Sequence, residues 1–216
     1  MDDADRDATP SDDAARRELV DGLRRRLDVD ERTLAAIEAV PRHLFVPERH
    51  RSRAYADRPL PIGHDQTISA PHMVALMTDL LDVEPGDRVF EVGTGCGYHA
   101  AVVAEIVGAR NVYSVEYVPD LAEAARDRLH RLGYDVTVRA GDGRTAFPDE
   151  PPFDAAYLTC APTGGTPDSI VDRVRTGGRV VAPVGRAGGQ RLVRLTVTEG
   201  AVDREDHGGV RFVPMQ

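Results

Sequence analysis

The 216-residue chain has no lysine, and all 27 of its basic residues are arginine. Without a lysine amine there is no P-loop phosphate cradle, no Schiff base and no attachment point for pyridoxal phosphate. Tryptophan is absent and aromatics make up only 5% of the chain. No apolar run approaches the roughly 18 residues of a membrane helix, so no membrane association is expected. The two cysteines, Cys96 and Cys160, cannot build a disulfide framework, and neither stands at a zinc-collecting spacing, so no metal is expected. The first residues lack the basic start and apolar stretch of a secretory signal, and a cytoplasmic location is expected.

What is abundant is acid. The chain has 24 Asp and 12 Glu against 27 Arg, giving a net charge of −9 and a pI near 5.2. Nucleic acid would have to be held by a local basic patch against the field of the whole molecule, so no nucleic-acid partner is expected. A lysine-free acidic surface also suits high salt, where repulsion among carboxylates is screened. Length and 41% apolar content give room for one substantial core, and a monomer is expected.

Residues 1–11 are Asp-rich with little to bury, and a disordered acidic tail is expected there. A single domain is expected over 12–216, with helices and an active-site loop in 12–85 and a cofactor-binding core in 86–216. Leu19, Val20, Leu23 and Leu27 mark a first helix starting at Asp12, and a second fits 30–40, opened by Asp30 and followed by Pro41. Residues 41–68 are rich in Pro, His and Arg. They read as a long irregular connection, which in a compact domain points to function. Ala70, Met73, Val74, Met77, Leu80 and Leu81 then recur at helical spacing, capped by Ser69 with Pro71 in the first turn.

From Gly86 onward, continuous apolar runs alternate with helical segments. Strands are expected at 88–92, 111–116, 136–139, 153–159 and 179–184, and helices at 98–107, 119–132 and 168–174. This is the pattern of an α/β fold with a doubly wound, mostly parallel sheet covered by helices on both faces. Residues 191–198 alternate apolar and polar, and 210–213 form a last short run. Antiparallel edge strands are therefore expected near the C-terminus.

Strand Val89-Phe90-Glu91-Val92 leads into Gly93-Thr94-Gly95-Cys96-Gly97 and then a helix. In a doubly wound sheet this turn lies at the carboxyl ends of the strands, where glycines let a ligand lie close to backbone. Its GxGxG spacing departs from the GxGxxG of dinucleotide sites. Glu91, two residues ahead of Gly93, would repel a pyrophosphate and favour a cation. Glu116 stands 23 residues past Gly93, near the roughly 20 expected of an acid that holds a ribose diol. Gly141-Asp142-Gly143 ends the third strand. Acids and glycines at three strand tips, with no phosphate-neutralising base, fit S-adenosylmethionine, which has a sulfonium, a ribose diol and an adenine but no phosphate.

With these residues in place, the chain resembles the protein-L-isoaspartate O-methyltransferase family from about residue 40 to the end. The resemblance runs through Val40-Pro41-Arg42-His43-Leu44-Phe45-Val46-Pro47, Gln66-Thr67-Ile68-Ser69-Ala70-Pro71-His72-Met73, Glu91-Val92-Gly93-Thr94-Gly95-Cys96-Gly97-Tyr98, Gly141-Asp142-Gly143 and Arg211-Phe212-Val213-Pro214. It implies a Rossmann-like methyltransferase fold. It also implies transfer of the methyl of S-adenosyl-L-methionine, leaving S-adenosyl-L-homocysteine, to the free carboxylate of L-isoaspartyl residues in damaged proteins or peptides. Such a carboxylate, with a pKa of about 4, is already ionised at neutral pH and needs no general base.

By the same resemblance Ser69 is the active-site residue, with Thr67 and Ile68 lining the transfer pocket. Glu91, Gly93, Thr94, Gly95 and Gly97 would border the methionine part of the cofactor, Glu116 its ribose, and Asp142 and Gly143 its adenine. Ser69, His72, Phe212, Val213 and Pro214 would meet the peptide. Asp65 stands where the family usually has glycine, placing a negative charge beside a site for an anion, and 163–166 continues with unusual glycines. Cys96 and Cys160 read as packed residues rather than nucleophiles, and His64 and His72 as makers of structural hydrogen bonds. Two other readings stay open at this point: a methyltransferase of a small molecule or nucleic acid, and a cofactor-binding protein that has lost turnover.

Overall fold

The computed structural model describes residues 10–186 and 188–216. The expected acidic tail falls outside the described residues except for its last two positions, and those two are helical. Helix α1 (Pro10–Arg26) starts two residues ahead of the expected Asp12, because proline is tolerated in a first helical turn. Asp12 and Asp13 lie in that turn and Arg24–Arg26 in the last, both favourable to the helix dipole. Helix α2 (Glu31–Ala39) is capped as expected, the Asp30 carboxylate accepting the Arg32 N–H at 2.6 Å.

Residues 41–68 are ordered, contrary to the irregular connection expected. They form two 3₁₀ turns (Arg42–Phe45 and Glu48–Arg53) and a two-stranded antiparallel hairpin, β1 (Leu60–Gly63) with β2 (Gln66–Ile68). A wholly buried Arg42 holds this segment together. Its guanidinium donates to the carbonyls of Ala54 at 2.9 Å and Ser69 at 2.8 Å and lies 4.8 Å from the centre of the Tyr98 ring. Side-chain links of this kind leave no periodic trace in a sequence. Helix α3 (Pro71–Leu81) follows, burying Val74, Met77, Thr78 and Leu81.

The main sheet contains β3 (Val89–Val92), β4 (Val112–Glu116), β5 (Thr137–Ala140), β6 (Phe153–Leu158), β7 (Val174–Val184), β8 (Gln190–Thr198) and β9 (Ala201–Val210). Their spatial order is β5-β4-β3-β6-β7-β8-β9, parallel from β5 to β7 and antiparallel from β7 to β9. Helices α4 (Tyr98–Val107) and α5 (Pro119–Arg131) match expectation closely. The helix expected over 168–174 is only one turn, α6 (Asp168–Val171), since Val174 already begins β7. The last strand is β9 rather than 210–213. Its run Asp203-Arg204-Glu205-Asp206 is solvent-exposed on an edge, so no apolar alternation betrays it.

Alternate residues of β3 face opposite layers. Val89 packs with Val102, Tyr157 and the N-terminal helices, whereas Phe90 and Val92 pack with Phe147, Phe153 and Ile170 on the other side. A strand buried on both faces is what made β3 a continuous apolar run broken only by Glu91.

Candidate active site

β4 and β5 lie on one side of β3, β6 and β7 on the other, so the chain order reverses between β3 and β6. Open α/β sheets bind ligands in the crevice at the carboxyl ends of such a pair. Here that crevice is a cleft holding about 830 Å³ of empty space, part of it open to solvent, walled by the strand tips, the 66–69 segment and residues 213–216.

Gly93, Gly95 and Gly97 all adopt left-handed φ, at 100°, 55° and 87°. At Gly93 an added Cβ would lie 2.3 Å from Thr159 Oγ1, whose hydroxyl donates to the Gly93 carbonyl at 2.5 Å. Glycine there lets the ends of β3 and β6 close on each other as well as admitting a ligand. Across the cavity, an added Cβ at Gly143 would meet Val92 Cγ1 at 2.5 Å.

Three acids stand at the three expected tips, each in a different state. Glu116 is nearly buried. One of its oxygens accepts the Gly95 N–H at 2.8 Å and the other the Val118 N–H at 3.0 Å. Asp142 pairs with Arg144 of its own turn, its oxygens 2.9 and 3.0 Å from the Arg144 Nε, and this hydrogen bond holds its carboxyl below the usual range. Glu91 has no solvent exposure, and burial pushes its carboxyl up to about 7 even though the Ser114 hydroxyl donates to it. Desolvation disfavours its charged form and leaves Glu91 poised between acid and anion near neutral pH. The described residues of the cavity wall include three side-chain carboxyls and no arginine; Arg144, outside it, pairs with Asp142 and donates to the Gln216 carbonyl at 3.1 Å. This donor set suits a cation carrying a diol and an adenine, and it repels phosphates.

Gln66, Thr67, Ile68 and Ser69 form the opposite wall. Ser69 is not a helix cap: the cap position is Ala70, with no side-chain hydrogen bond. The first free N–H of α3, that of His72, is instead taken by Asp57, which also accepts His72 Nδ1, each at 2.9 Å, and pairs with Arg26 at 3.0 Å. Asp57 therefore fills the helix end, and it ties His72 down outside the cavity wall. Ser69 lines the cavity, its hydroxyl without a hydrogen-bond partner among the described residues, while Arg42 fixes its carbonyl.

Val213 and Pro214 line the cavity, and so do Met215 and Gln216, which sequence reasoning passed over. The segment is strapped down by backbone bonds between Ala161 and Val213 at 2.8 Å and between Met215 and Ala161 at 2.9 Å. Phe212 packs on the core instead, its backbone gripped by the Gln190 side chain through bonds of 2.6 and 3.0 Å. Asp65 shares the β1–β2 turn with His64, at φ 56° and 50°, and lies outside the cavity wall. The Cys160 thiol reaches the cavity, but burial pushes it up to about 12, and Cys96 is buried, as packed residues should be. Asp57, Gln190, Tyr117 at the cavity lip and the last two residues give no local signal in the sequence, because partners far along the chain define them.

Comparison with known proteins agrees with this geometry. The family model described as protein-L-isoaspartate(D-aspartate) O-methyltransferase matches residues 14–216. Protein-L-isoaspartate O-methyltransferase 2 of Archaeoglobus fulgidus is 48% identical over 206 residues, 94% of each chain. The Methanopyrus kandleri enzyme is 50% identical over 188 residues, 85% of this chain and 83% of that one. Among solved structures, a Plasmodium falciparum protein-L-isoaspartate O-methyltransferase in complex with S-adenosyl-L-homocysteine superposes with a TM-score of 0.80. It is 26% identical, over 93% of this chain and 98% of that one. The chain belongs to the protein-L-isoaspartate(D-aspartate) O-methyltransferase family.

Proposed function

We propose that this protein is a repair enzyme that methylates the free carboxylate of L-isoaspartyl residues in damaged proteins and peptides, with S-adenosyl-L-methionine as donor. The observation that carries it is one cavity joining the Gln66–Ser69 segment to the three acidic and glycine-rich strand tips. When bound, the cofactor supplies an electrophilic methyl group on a positively charged sulphur.

The chain's own residues bind, align and exclude water. We assign Glu116 to the ribose hydroxyls, the Gly93–Gly97 turn with Thr94 to the amino-acid part, and Asp142 and Gly143 to the adenine. Thr67, Ile68 and Ser69 flank the acceptor, the Ser69 hydroxyl donating to a carboxylate oxygen and leaving the other free to react. Backbone at Val213 and Pro214 borders the peptide. The acceptor is already ionised, so rate comes from in-line alignment and from shielding the site, and no proton need be removed. His72 has no part in this scheme beyond anchoring α3 through Asp57.

We further read the enzyme as a cytoplasmic monomer acting on protein surfaces. The net charge of −9 favours peptide over nucleic acid, and among the described residues no helix is long and apolar enough to cross a membrane. The test is radiolabelled methyl transfer to an isoaspartyl peptide and to its aspartyl twin. Label confined to the isoaspartyl peptide is expected. Label on both, or on neither despite cofactor binding, would overturn the assignment.

A further inference from the structure

Glu91, Ser114 and Tyr157 occupy one register row across the centre of the sheet, Glu91 pairing with Ser114 on β4 and with Tyr157 on β6. All three are wholly buried. Ser114 donates to one Glu91 oxygen, and the Thr94 hydroxyl of the glycine turn lies 2.5 Å from that of Ser114, so the row reaches the cofactor loop. The second Glu91 oxygen and the Tyr157 hydroxyl are buried side by side, close enough for the phenol to oppose the effect of burial on the carboxyl, yet neither completes a hydrogen bond of good geometry among the described residues.

No cation compensates this carboxyl among the described residues. From β4 it faces the acid Glu116. From β6 it faces the phenol of Tyr157, itself held neutral by burial, and just beyond that strand the Cys160 thiol. From the glycine turn it faces the buried Cys96 thiol. From α4 comes His99, whose ring stacks 4.4 Å from that of Tyr157, donates to or accepts from Thr78 at 3.0 Å, and is kept neutral by burial, down to about 3. An ionised carboxylate in such surroundings is costly until a positive charge arrives.

We propose that Glu91 carries a proton when no donor is bound and releases it to solvent as the cationic donor enters, so that the pocket distinguishes the sulfonium donor from the neutral-sulphur product. The O–H bond of the carboxylic acid breaks, the electron pair stays on the carboxylate, and the proton leaves through the cavity to water or buffer. This rests on the S-adenosylmethionine reading of the cavity. Its consequence is that donor affinity is roughly tenfold weaker at about pH 6 than at about pH 8, while product affinity changes less.

The test is calorimetric titration of S-adenosylmethionine and of S-adenosylhomocysteine into the enzyme at both pH values, each in two buffers of different ionisation enthalpy. Close to one proton released per donor at the lower pH, little at the higher, and less for the product are expected, with the pH difference abolished in Glu91→Gln. Infrared difference spectra of the wild-type protein supply a second readout independent of the variant: a protonated carboxylic acid carbonyl band should disappear on donor binding. Donor binding without proton release, or equal release by wild type and Glu91→Gln, or an unchanged carbonyl band, would overturn the inference. Binding of neither ligand would instead overturn the cofactor reading itself.

Discussion

The Glu116 carboxylate at the tip of β4 accepts the Gly95 N–H at 2.8 Å and so clamps the glycine turn of β3 to its neighbouring strand. Each carboxylate oxygen can accept more than one hydrogen bond, so the same group can hold the turn and a ribose diol together. Glu116→Ala is expected to weaken donor and product binding by about 1–3 kcal/mol, because a charged acceptor is lost on both sides. Calorimetry that finds unchanged affinity would remove Glu116 from the ribose role.

Ser69 separates two roles that the sequence merged. A helix cap replaced by alanine costs about 1 kcal/mol of stability, whereas a hydroxyl bonding a charged substrate costs about 1.5–3 kcal/mol of turnover. The cap position belongs to Ala70. Ser69→Ala should therefore leave the melting temperature and donor affinity unchanged and lower kcat/KM for isoaspartyl peptide about tenfold or more. A melting shift without a kinetic effect would reverse this assignment.

Asp57 caps α3 and pairs with Arg26. Its carboxyl lies below the ordinary range: burial opposes ionisation, and the His72 hydrogen bonds with the Arg26 charge outweigh it. A carboxyl depressed in the folded state contributes stability that is complete above its unfolded pKa and lost as pH falls through the folded one. Asp57→Asn should cost about 1 kcal/mol near neutral pH, since the amide oxygen can still accept the His72 N–H while the charge facing Arg26 is lost. The gap to wild type should close in denaturation measured at acid pH, and a gap that persists there would show that charge is not the cause.

Asp65 was expected to hinder an anionic acceptor, but it sits at a left-handed turn position outside the cavity wall. Asparagine, aspartate and glycine are the residues that tolerate such a turn. Asp65→Gly should shift stability by no more than about 1 kcal/mol, since relief at positive φ is offset by chain entropy. Its kcat/KM should stay within about twofold of wild type at low and high salt. A large gain confined to low salt would restore the electrostatic reading.

Much of this architecture could be read directly because β3, β4 and β6 are short strands buried on both faces, and the helices after β3 and β4 have clear periodicity. The glycine turn and Glu116 were legible for the same reason, since each terminates a recognisable strand. The ordered 41–68 segment was not, because its fold rests on one buried arginine reaching carbonyls 12 and 27 residues away. Nor was the Asp57 cap, which acts on a helix that begins 14 residues later. Glu91 was recognised as important, but its raised carboxyl was not legible, since desolvation depends on neighbours from adjacent strands that no local pattern reveals.

The outermost strand has a bearing on how copies of the protein behave when crowded. β9 presents Asp203, Arg204, Glu205 and Asp206 to solvent, with Arg191–Asp206 and Arg194–Glu205 pairs pinning it to β8 at 2.7 Å each. A second molecule that zipped its own β9 alongside would bring carboxylates of both copies together. The open side of the sheet is thereby guarded against edge-to-edge pairing between copies.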